Sequence, residues 1–406
     1  MKHYDIVISG GGIIGLAIAC GLQNIGLHIL IVERKQLKLP LKNKMPLPDP
    51  ERFSALNIAS KYFFQNLGIW QQILDLCANE FNGVEVWDID SFGKIHFNPK
   101  QQSIQEPLGY IVSNQKCHDI LLQHTQVFGD VTICTSATLQ NISFKKNNAI
   151  IILDNGNTLT TRLIIAADGT HSWLRQYFKI PSSFWKYRHH ALVATIRTEK
   201  PHQEIAYQVF HSNSILAVLP LSNPYLSSIV WSLPPEQACF FQQASEILFN
   251  QHLSIHFDLC LGVCQLVSKR QTLPLTGCYA HHLVAHRLTL VGDAAHTIHP
   301  LIGQGLNIGL MDAAELVGTI RRIQNQGGDI GQYDNLRSYE RSRKYSSFLA
   351  LTGAQGFYII FNGNNIGKKL LRNSLLKLTN HIPAVKSCLL QHAQGIINIP
   401  PWLSRL

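Results

Sequence analysis

The chain has 406 residues, of which 46% are hydrophobic and 15% are charged; this composition excludes a largely disordered chain and allows about two or three domains with a sizeable core. The nine cysteines, an odd number without a Cys-X-X-Cys pair, exclude a disulfide scaffold and favour reduced cytosolic thiols, and no metal site is predicted. No uncharged apolar stretch is long enough to cross a bilayer, which predicts a cytoplasmic protein, soluble or peripheral on the inner membrane.

The chain opens with a dinucleotide-binding pattern. A predicted strand at residues 4–9 leads into a predicted helix through the GxGxxG glycines Gly10, Gly12 and Gly15. These glycines allow a tight turn, close approach of backbone amides to a pyrophosphate, and close packing of helix on strand. A second predicted strand, residues 28–32, ends at Glu33, whose carboxylate can bind ribose hydroxyls. We therefore predict a bound dinucleotide at this turn.

A third predicted strand, residues 163–167, precedes a DGxxSxxR pattern formed by Asp168, Gly169, Ser172 and Arg175. An Asp-Gly pair is also typical of a surface turn with a helix cap, so this pattern alone leaves both interpretations open. Its position directly after a buried strand favours a ligand site shared with the first turn.

Strand-like runs follow at residues 190–198, 204–212, 214–221 and 226–233, separated by turn-forming residues. They predict an antiparallel sheet covering one side of the cofactor. Pro234 and Pro235 then begin a helical stretch, where proline is tolerated in the first turn.

Residues 288–291 form the last predicted strand, and residues 292–312 read GDAAHTIHPLIGQGLNIGLMD. Asp293 lies at the strand end, where a carboxylate can hold a ligand hydroxyl. Glycines at 303 and 305 allow close backbone approach, and the apolar spacing from Leu306 predicts a helix. The start of that helix offers unpaired N–H groups that suit the negative edge of a reduced flavin.

The end of the chain is basic, because no acidic residue follows Glu340. Leucines at helical spacing over residues 366–378 stand beside Lys368, Lys369, Arg372 and Lys377, which predicts a basic amphipathic helix. It suits an anionic membrane surface or, equally, packing against the protein body. No nucleic-acid-binding motif accompanies the charge.

The three motifs in this order resemble the flavoprotein aromatic hydroxylases of the para-hydroxybenzoate hydroxylase type. Over nearly the whole chain the sequence is similar to the ubiquinone-biosynthesis hydroxylases, and most similar to the 2-polyprenylphenol 6-hydroxylases, which act on the ring carbon called C5. The stretches outside the flavin motifs that carry this likeness are residues 85–93, 190–199 and 228–233. Ile302 and Ala166 replace a usual alanine and glycine, and we expect a narrower pocket beside the flavin.

The resemblance implies an α/β fold with a Rossmann-like FAD-binding domain of this type, an inserted antiparallel β-sheet substrate domain and a C-terminal helical segment. The discontinuous FAD-binding domain would comprise residues 1–80, 108–180 and 276–345. The substrate domain would comprise residues 81–107 and 181–275, and the helical region residues 346–406.

The resemblance also implies site residues. The cofactor-binding candidates are Gly10, Gly12, Gly15, Glu33, Arg52, Asn114 (or its neighbour Gln115), Asp168, Gly292, Asp293, Gly305, Leu306 and Asn307. His299, with the adjoining Pro300, is the catalytic candidate. A histidine in such a loop more often orients or packs against neighbouring groups than transfers a proton. Both roles therefore stay open for His296 and His299.

The expected chemistry is hydroxylation of a polyprenylphenol ring through a flavin C4a-hydroperoxide, with FAD, O2 and NAD(P)H as the electron donor. The alternatives are hydroxylation at another ring position, a flavin oxidase or dehydrogenase, and a non-catalytic flavin-bearing subunit of a ubiquinone-biosynthesis complex. Expected partners are the polyprenylphenol, that complex, a membrane surface and a second copy of the chain, but no nucleic acid.

Overall fold

The structure, a computed structural model, describes residues 1–36, 51–89, 94–97, 106–127, 129–298, 303–361, 390–396 and 399–403. The amphipathic helix predicted at residues 366–378 lies outside the described residues.

The strands, in chain order, are β1 Lys2–Ser9, β2 Ile29–Glu33, β3 Phe53–Leu56, β4 Ala78–Phe81, β5 Gly83–Asp88, β6 Lys94–Phe97, β7 Gly109–Ser113, β8 Val131–Thr135, β9 Leu139–Phe144, β10 Ala149–Leu153, β11 Thr158–Ala166, β12 Ser182–Thr198, β13 Ile205–His211, β14 Ser214–Pro220, β15 Leu226–Leu233, β16 Cys264–Leu266, β17 Gln271–Ala280, β18 Val284–Ala285, β19 Leu288–Leu290 and β20 His296–Thr297.

The helices are α1 Ile13–Gly21, α2 Ile58–Asn66, α3 Trp70–Cys77, α4 Asn114–Val127, α5 Trp173–Tyr177, α6 Pro235–Gln243, α7 Glu246–His256, α8 Gly305–Asn325 and α9 Tyr333–Phe361. A 3₁₀ turn at Gly292–Ala294 links β19 to β20.

The first sheet has a parallel centre in the order β8, β2, β1, β11, β19. The buried stretches of β1, β2 and β11, at residues 6–8, 29–32 and 163–166, are wholly apolar, as expected for strand segments with both faces covered. Ser9 pairs with Ala166, and Ala166 pairs with Leu290. The loops after β1, β11 and β19 therefore leave the same edge of the sheet side by side, which brings the three motifs together.

The second sheet has nine strands, with the path β20, β17, β12, β15, β14, β13, β5, β6 and with β16 paired to β12. The four predicted strands are its antiparallel centre, β12 to β15. One face packs on α6 and α7 through a core that includes Trp231, Phe241 and Phe249. The other face carries smaller side chains and borders a cavity.

A third sheet, in the order β3, β7, β4, packs against the nine-stranded sheet through the apolar cluster of Phe81, Leu108, Ile111, Ala206 and Leu221. Its other buried apolar residues, Leu56, Tyr110 and Val112, belong to the core of the first sheet. The predicted α/β architecture, with a parallel sheet and an inserted antiparallel sheet, is confirmed. The domain boundaries proposed from the sequence stay a prediction. Of the helices in the described ranges, none combines the length and apolar character needed to cross a bilayer.

Candidate active site

A cavity of about 670 Å³ is bounded by the loops of the parallel sheet on one side and the nine-stranded sheet on the other. Its loop end is polar and includes Gly12, Arg52, Asn114, Gly169, Thr170, Asp293 and Gly305. Its sheet end is mostly apolar and includes Phe81, Val84, Phe97, Ala191, Val193, Ala206, Ala217, Leu219 and Val230. The cavity can therefore hold a ligand that is polar at one end and apolar at the other.

The glycine turn after β1 is fixed by close backbone packing. Gly10 has φ +109°, and a Cβ atom there would lie 2.3 Å from the carbonyl oxygen of Ala167. A Cβ on Gly15 would lie 2.1 Å from the Gly10 carbonyl oxygen. By contrast, no described atom lies within 4 Å of a Cβ built on Gly12, which caps α1 and lines the cavity. Gly12 thus leaves the helix start open to a phosphate.

Glu33 lies at the end of β2, against this turn. Its Oε2 accepts a hydrogen bond from the Gly11 N–H at 2.7 Å, and its Oε1 accepts one from the Lys35 N–H at 2.9 Å. Each carboxylate oxygen has a further lone pair, so the same side chain can accept bonds from ribose hydroxyls.

The DGxxSxxR residues form a braced turn at the end of β11. Ser172 caps α5 by accepting a bond from the Arg175 N–H at 3.0 Å, and Asp168 accepts one from the Leu174 N–H at 3.1 Å. Burial raises the pKa of the Asp168 carboxyl, while Ser172 and the helix N–H groups oppose that rise.

Arg175 is buried and connects two of the motifs. Its guanidinium donates to the carbonyl oxygens of Ala294 and Thr170, both at 2.7 Å. The arginine of the second motif therefore holds the loop of the third in place, and it acts as a brace between loops.

Asp293 projects into the polar end of the cavity from the 3₁₀ turn. Its side chain is accessible from the cavity but is otherwise surrounded by protein, and Thr170 donates to it at 3.5 Å. Desolvation by the neighbouring protein raises the pKa of the carboxyl, whereas His296, Thr170 and Arg52 oppose the rise. Such a carboxylate is suited to accept bonds from ligand hydroxyls at this position.

Helix α8 begins at the cavity with Gly305, Leu306 and Asn307, whose N–H groups come too early in the helix for intrahelical partners. The Asn307 side chain is already bound within the protein. Its Oδ1 accepts hydrogen bonds from the N–H of Asn57 at 3.0 Å and from the hydroxyl of Ser60 at 2.8 Å. Only the backbone of Asn307 thus remains for a flavin.

A buried charged cluster lies behind the turn at Gly292. Asp312 of α8 accepts from the Gly292 N–H at 3.0 Å and from Arg343 Nε at 2.7 Å, and it lies 2.6 Å from His296 Nε2. Despite burial, electrostatic interactions and hydrogen bonds with His296 and Arg343 lower the pKa of Asp312. His296 is therefore placed as a packing and orienting residue.

A model of the FAD binding domain family matches residues 3–347 of this chain. The chain belongs to this family.

This FAD-binding protein is 30% identical to a mitochondrial ubiquinone biosynthesis monooxygenase of Xenopus tropicalis, over 96% of this chain and 93% of that one. It is 27% identical to the 3-demethoxyubiquinol 3-hydroxylase of Escherichia coli, over 97% and 98%. Among solved structures, it matches p-nitrophenol 4-monooxygenase from Pseudomonas putida with a TM-score of 0.79 and 16% identity, over 98% and 99%. The resemblance to ubiquinone-biosynthesis hydroxylases is confirmed, and the protein is an FAD-dependent monooxygenase.

The cavity of this monooxygenase fits FAD. Open space at Gly12 and Gly305 lets a ligand approach two helix starts. Within the described part of the chain, Asn114 Oδ1 is buried without a hydrogen-bond partner, which an additional polar ligand would remedy. Gly12 and Glu33 would hold the adenosine side, Asp293 the ribityl chain, and the start of α8 the flavin ring. Bound FAD supplies two-electron redox chemistry and O2 activation.

Other predicted residues are placed differently. His299, Pro300 and Ile302 lie outside the described residues. Gln115 is exposed and donates to Asp119 at 2.9 Å. Ala166 is fully buried between β1 and β19, so the expectation that it narrows the pocket is wrong; its neighbour Ala167 lines the cavity.

Two contributions were missed by the sequence analysis. His118 of α4 lies with its Nε2 2.9 Å from the Gly11 carbonyl oxygen. Asp312 and Arg343 form the buried cluster behind Gly292. Asp312 is the last residue of the third motif and lies about two helical turns into α8, so its place in the motif was a usable signal. No sequence pattern pointed to His118 or Arg343. Across the described ranges, no group of three or more His, Cys, Asp or Glu residues could hold a metal ion.

Proposed function

We propose that this monooxygenase hydroxylates the ring of a polyprenylphenol in ubiquinone biosynthesis, at the C5 position. The observation that carries the proposal is the cavity, whose polar loop end suits FAD and whose sheet end has mostly apolar walls. A phenol with an isoprenoid substituent has the matching polarity. The activities named for the Xenopus tropicalis and Escherichia coli relatives support the same substrate class.

The chain's own residues would act by binding and by excluding water. Asp293 and the start of α8 would hold the cofactor at the polar end, and the small side chains of β12, β14 and β15 would leave room for a flat ring beside it. Apolar walls would keep water from the reacting centre, which would limit loss of reducing equivalents as hydrogen peroxide.

The test is turnover of the holoenzyme with NAD(P)H, a short 2-polyprenylphenol and ¹⁸O₂. We expect one labelled oxygen in a new ring hydroxyl, with ¹⁶O₂ in H₂¹⁸O as the control, and mass spectrometry and NMR locate the position. An unlabelled oxidised product would instead indicate an oxidase or dehydrogenase. A labelled hydroxyl at another carbon would contradict the C5 assignment alone.

A gene deletion separates catalysis from a scaffold role. We expect the deleted strain to accumulate the unhydroxylated phenol, and we expect a variant shown to lack FAD not to restore ubiquinone. Restoration by a variant shown to lack FAD would indicate a non-catalytic subunit of a quinone-synthesis complex.

NAD(P)H is the reductant typical of the family, and we propose that it binds transiently, because the chain contains one GxGxxG pattern.

We further propose a peripheral membrane contact through the C-terminal sequence, which contains no acidic residue, since the substrate is lipid-soluble. Binding to vesicles with anionic lipid should weaken with salt and on changing Lys368, Lys369, Arg372 and Lys377 to Gln, by up to ~1 kcal/mol per charge. Vesicle binding indifferent to those charges would contradict it.

A further inference from the structure

The apolar wall of the cavity contains one polar exception in its central row. On the nine-stranded sheet, Val193 pairs with Val230, Val230 with Ala217, and Ala217 with Gln208, and all four residues line the cavity. Ala206, two residues before Gln208 on the same strand, also lines it. Gln208 therefore places an amide among valine and alanine side chains.

Strand geometry fixes the direction of this side chain. Successive residues of a strand point to opposite faces. Tyr207 and Val209 pack into the core on the helix side of the sheet, together with Trp87 and Phe257. Gln208, between them, must extend from the opposite face, which is the face that borders the cavity.

The amide is incompletely satisfied. Within the described structure, Gln208 Nε2 is buried and has no hydrogen-bond partner. An unsatisfied buried amide lowers stability, and a few placed polar groups in an apolar pocket commonly set ligand orientation. The sheet itself does not need an amide at this position, because the cross-strand neighbours of Gln208 are the apolar Ala217 and Val86.

We infer that Gln208 is a specificity-determining residue whose amide hydrogen-bonds an oxygen substituent on the aromatic ring of the substrate. A hydroxyl oxygen can accept from the Nε2 H atoms and donate to Oε1, so a phenol satisfies the amide whereas the parent hydrocarbon leaves it unpaired. The inference rests on the proposed phenol substrate and adds the residue that recognises its oxygen.

The test compares binding of 2-prenylphenol and prenylbenzene, which differ only in the hydroxyl, to the oxidised holoenzyme without reductant. Dissociation constants follow from the change in flavin absorbance on titration. We expect the wild type to prefer the phenol by roughly tenfold or more. Gln208→Met keeps the length of the side chain and removes the amide. The two compounds should then bind roughly equally well, mainly because the phenol binds more weakly.

Two further variants make the result specific. Gln208→Asn retains an amide one methylene shorter and should keep part of the preference, which guards against a folding defect in Gln208→Met. Gln265→Met, at an exposed position of β16 in the same sheet, should behave as the wild type. A wild type without preference, or a Gln208→Met protein that retains it, would overturn the inference. Because the readout is binding, a failed ¹⁸O experiment would count against the proposed function separately.

Discussion

Asp293 illustrates how a single side chain defines the polar end of the cavity. It is held by the turn at the end of β19, faces the cavity and has a raised carboxyl pKa because protein surrounds it elsewhere. A ligand hydroxyl would replace solvent at this carboxylate, and hydrogen bonds to charged groups are among the stronger ones in proteins.

Replacement of Asp293 by Ala should therefore weaken FAD binding by about 1.5–3 kcal/mol, or roughly tenfold or more. Titration of apoprotein with FAD, followed by quenching of flavin fluorescence, measures the change. The exposed Asp154→Asn variant serves as the control. Equal FAD occupancy of wild type and Asp293→Ala at limiting FAD would show that the carboxylate does not contact the cofactor.

His118 is a second residue that shapes the cofactor site, because it orients the glycine turn after β1. Its Nε2 must donate to the Gly11 carbonyl oxygen at 2.9 Å, while Glu33 accepts from the Gly11 N–H. The Gly11 carbonyl and the Gly12 N–H belong to one planar peptide and point in opposite directions. Fixing the carbonyl toward α4 therefore fixes the Gly12 N–H, at the residue that borders the cavity.

His118→Leu should weaken FAD binding roughly five- to tenfold through loss of about 1 kcal/mol of hydrogen bonding, whereas His118→Gln should restore most of it because Gln keeps a donor near the same position. The FAD titration is read beside the melting temperature of each apoprotein. The exposed Gln123→Ala on the same helix is the matched control. The idea fails if Leu and Gln at position 118 bind FAD equally well.

At the scale of elements, one carboxylate joins two long helices to a cofactor turn. Asp312 of α8 is fully buried and contacts Arg343 of α9 as well as Gly292 and His296 of the turn. Its lowered pKa means that this stabilisation is present at neutral pH and is lost only as the pH falls through its folded-state value, below 3.8.

Asp312→Asn should lower the free energy of unfolding by about 3–5 kcal/mol, because it leaves the buried Arg343 without its counter-charge. Urea unfolding of the apoprotein measures this loss. Asp75→Asn makes the same chemical change at an exposed site and should stay within about 0.5 kcal/mol of the wild type. A small effect at Asp312 would mean that water or a rearrangement compensates the arginine.

For the whole molecule, acid stability should depend on three desolvated histidines, one on a strand and two on helices. Burial lowers the pKa of His124 on α4, His189 on β12 and His256 on α7 below 6.5, and for His256 the neighbouring His211 and His252 add to the effect. The unfolded chain therefore binds protons at these sites before the folded chain does. The contribution of these histidines to the free energy of unfolding is fully present above about pH 6.5, and it declines as the pH falls toward their pKa values in the folded chain.

We expect the free energy of unfolding to fall between about pH 7.5 and about pH 5.5, and to fall less in a variant with Gln at positions 124, 189 and 256. Urea titrations at the two pH values give both differences. Since the carboxylates are unchanged in the variant, comparison of the two slopes isolates the histidines. Equal slopes would show that these imidazoles titrate alike in the folded and unfolded chains.

The sequence by itself determined the local elements and the cofactor class. Glycine at Gly10 and Gly15 is required by a turn whose backbone admits no Cβ, and such steric requirements can be read from spacing. Short apolar runs likewise predicted β1, β11 and β19, since strand segments covered on both faces are mostly apolar. The antiparallel centre β12 to β15 followed from its alternating runs and turns.

Only the tertiary structure decided which side chains meet across sequence distance. His118 reaches Gly11 over 107 positions, and no local pattern encodes that contact. Arg175 is recognisable as a motif residue, yet its bonds to the loop of another motif depend on how β11 and β19 pair. Asn307 turns its amide to Asn57 and Ser60 because α2 packs there. Gln208 reads as an ordinary strand residue until its neighbours on adjacent strands are known, because the polarity of a cavity wall is set by pairing between strands.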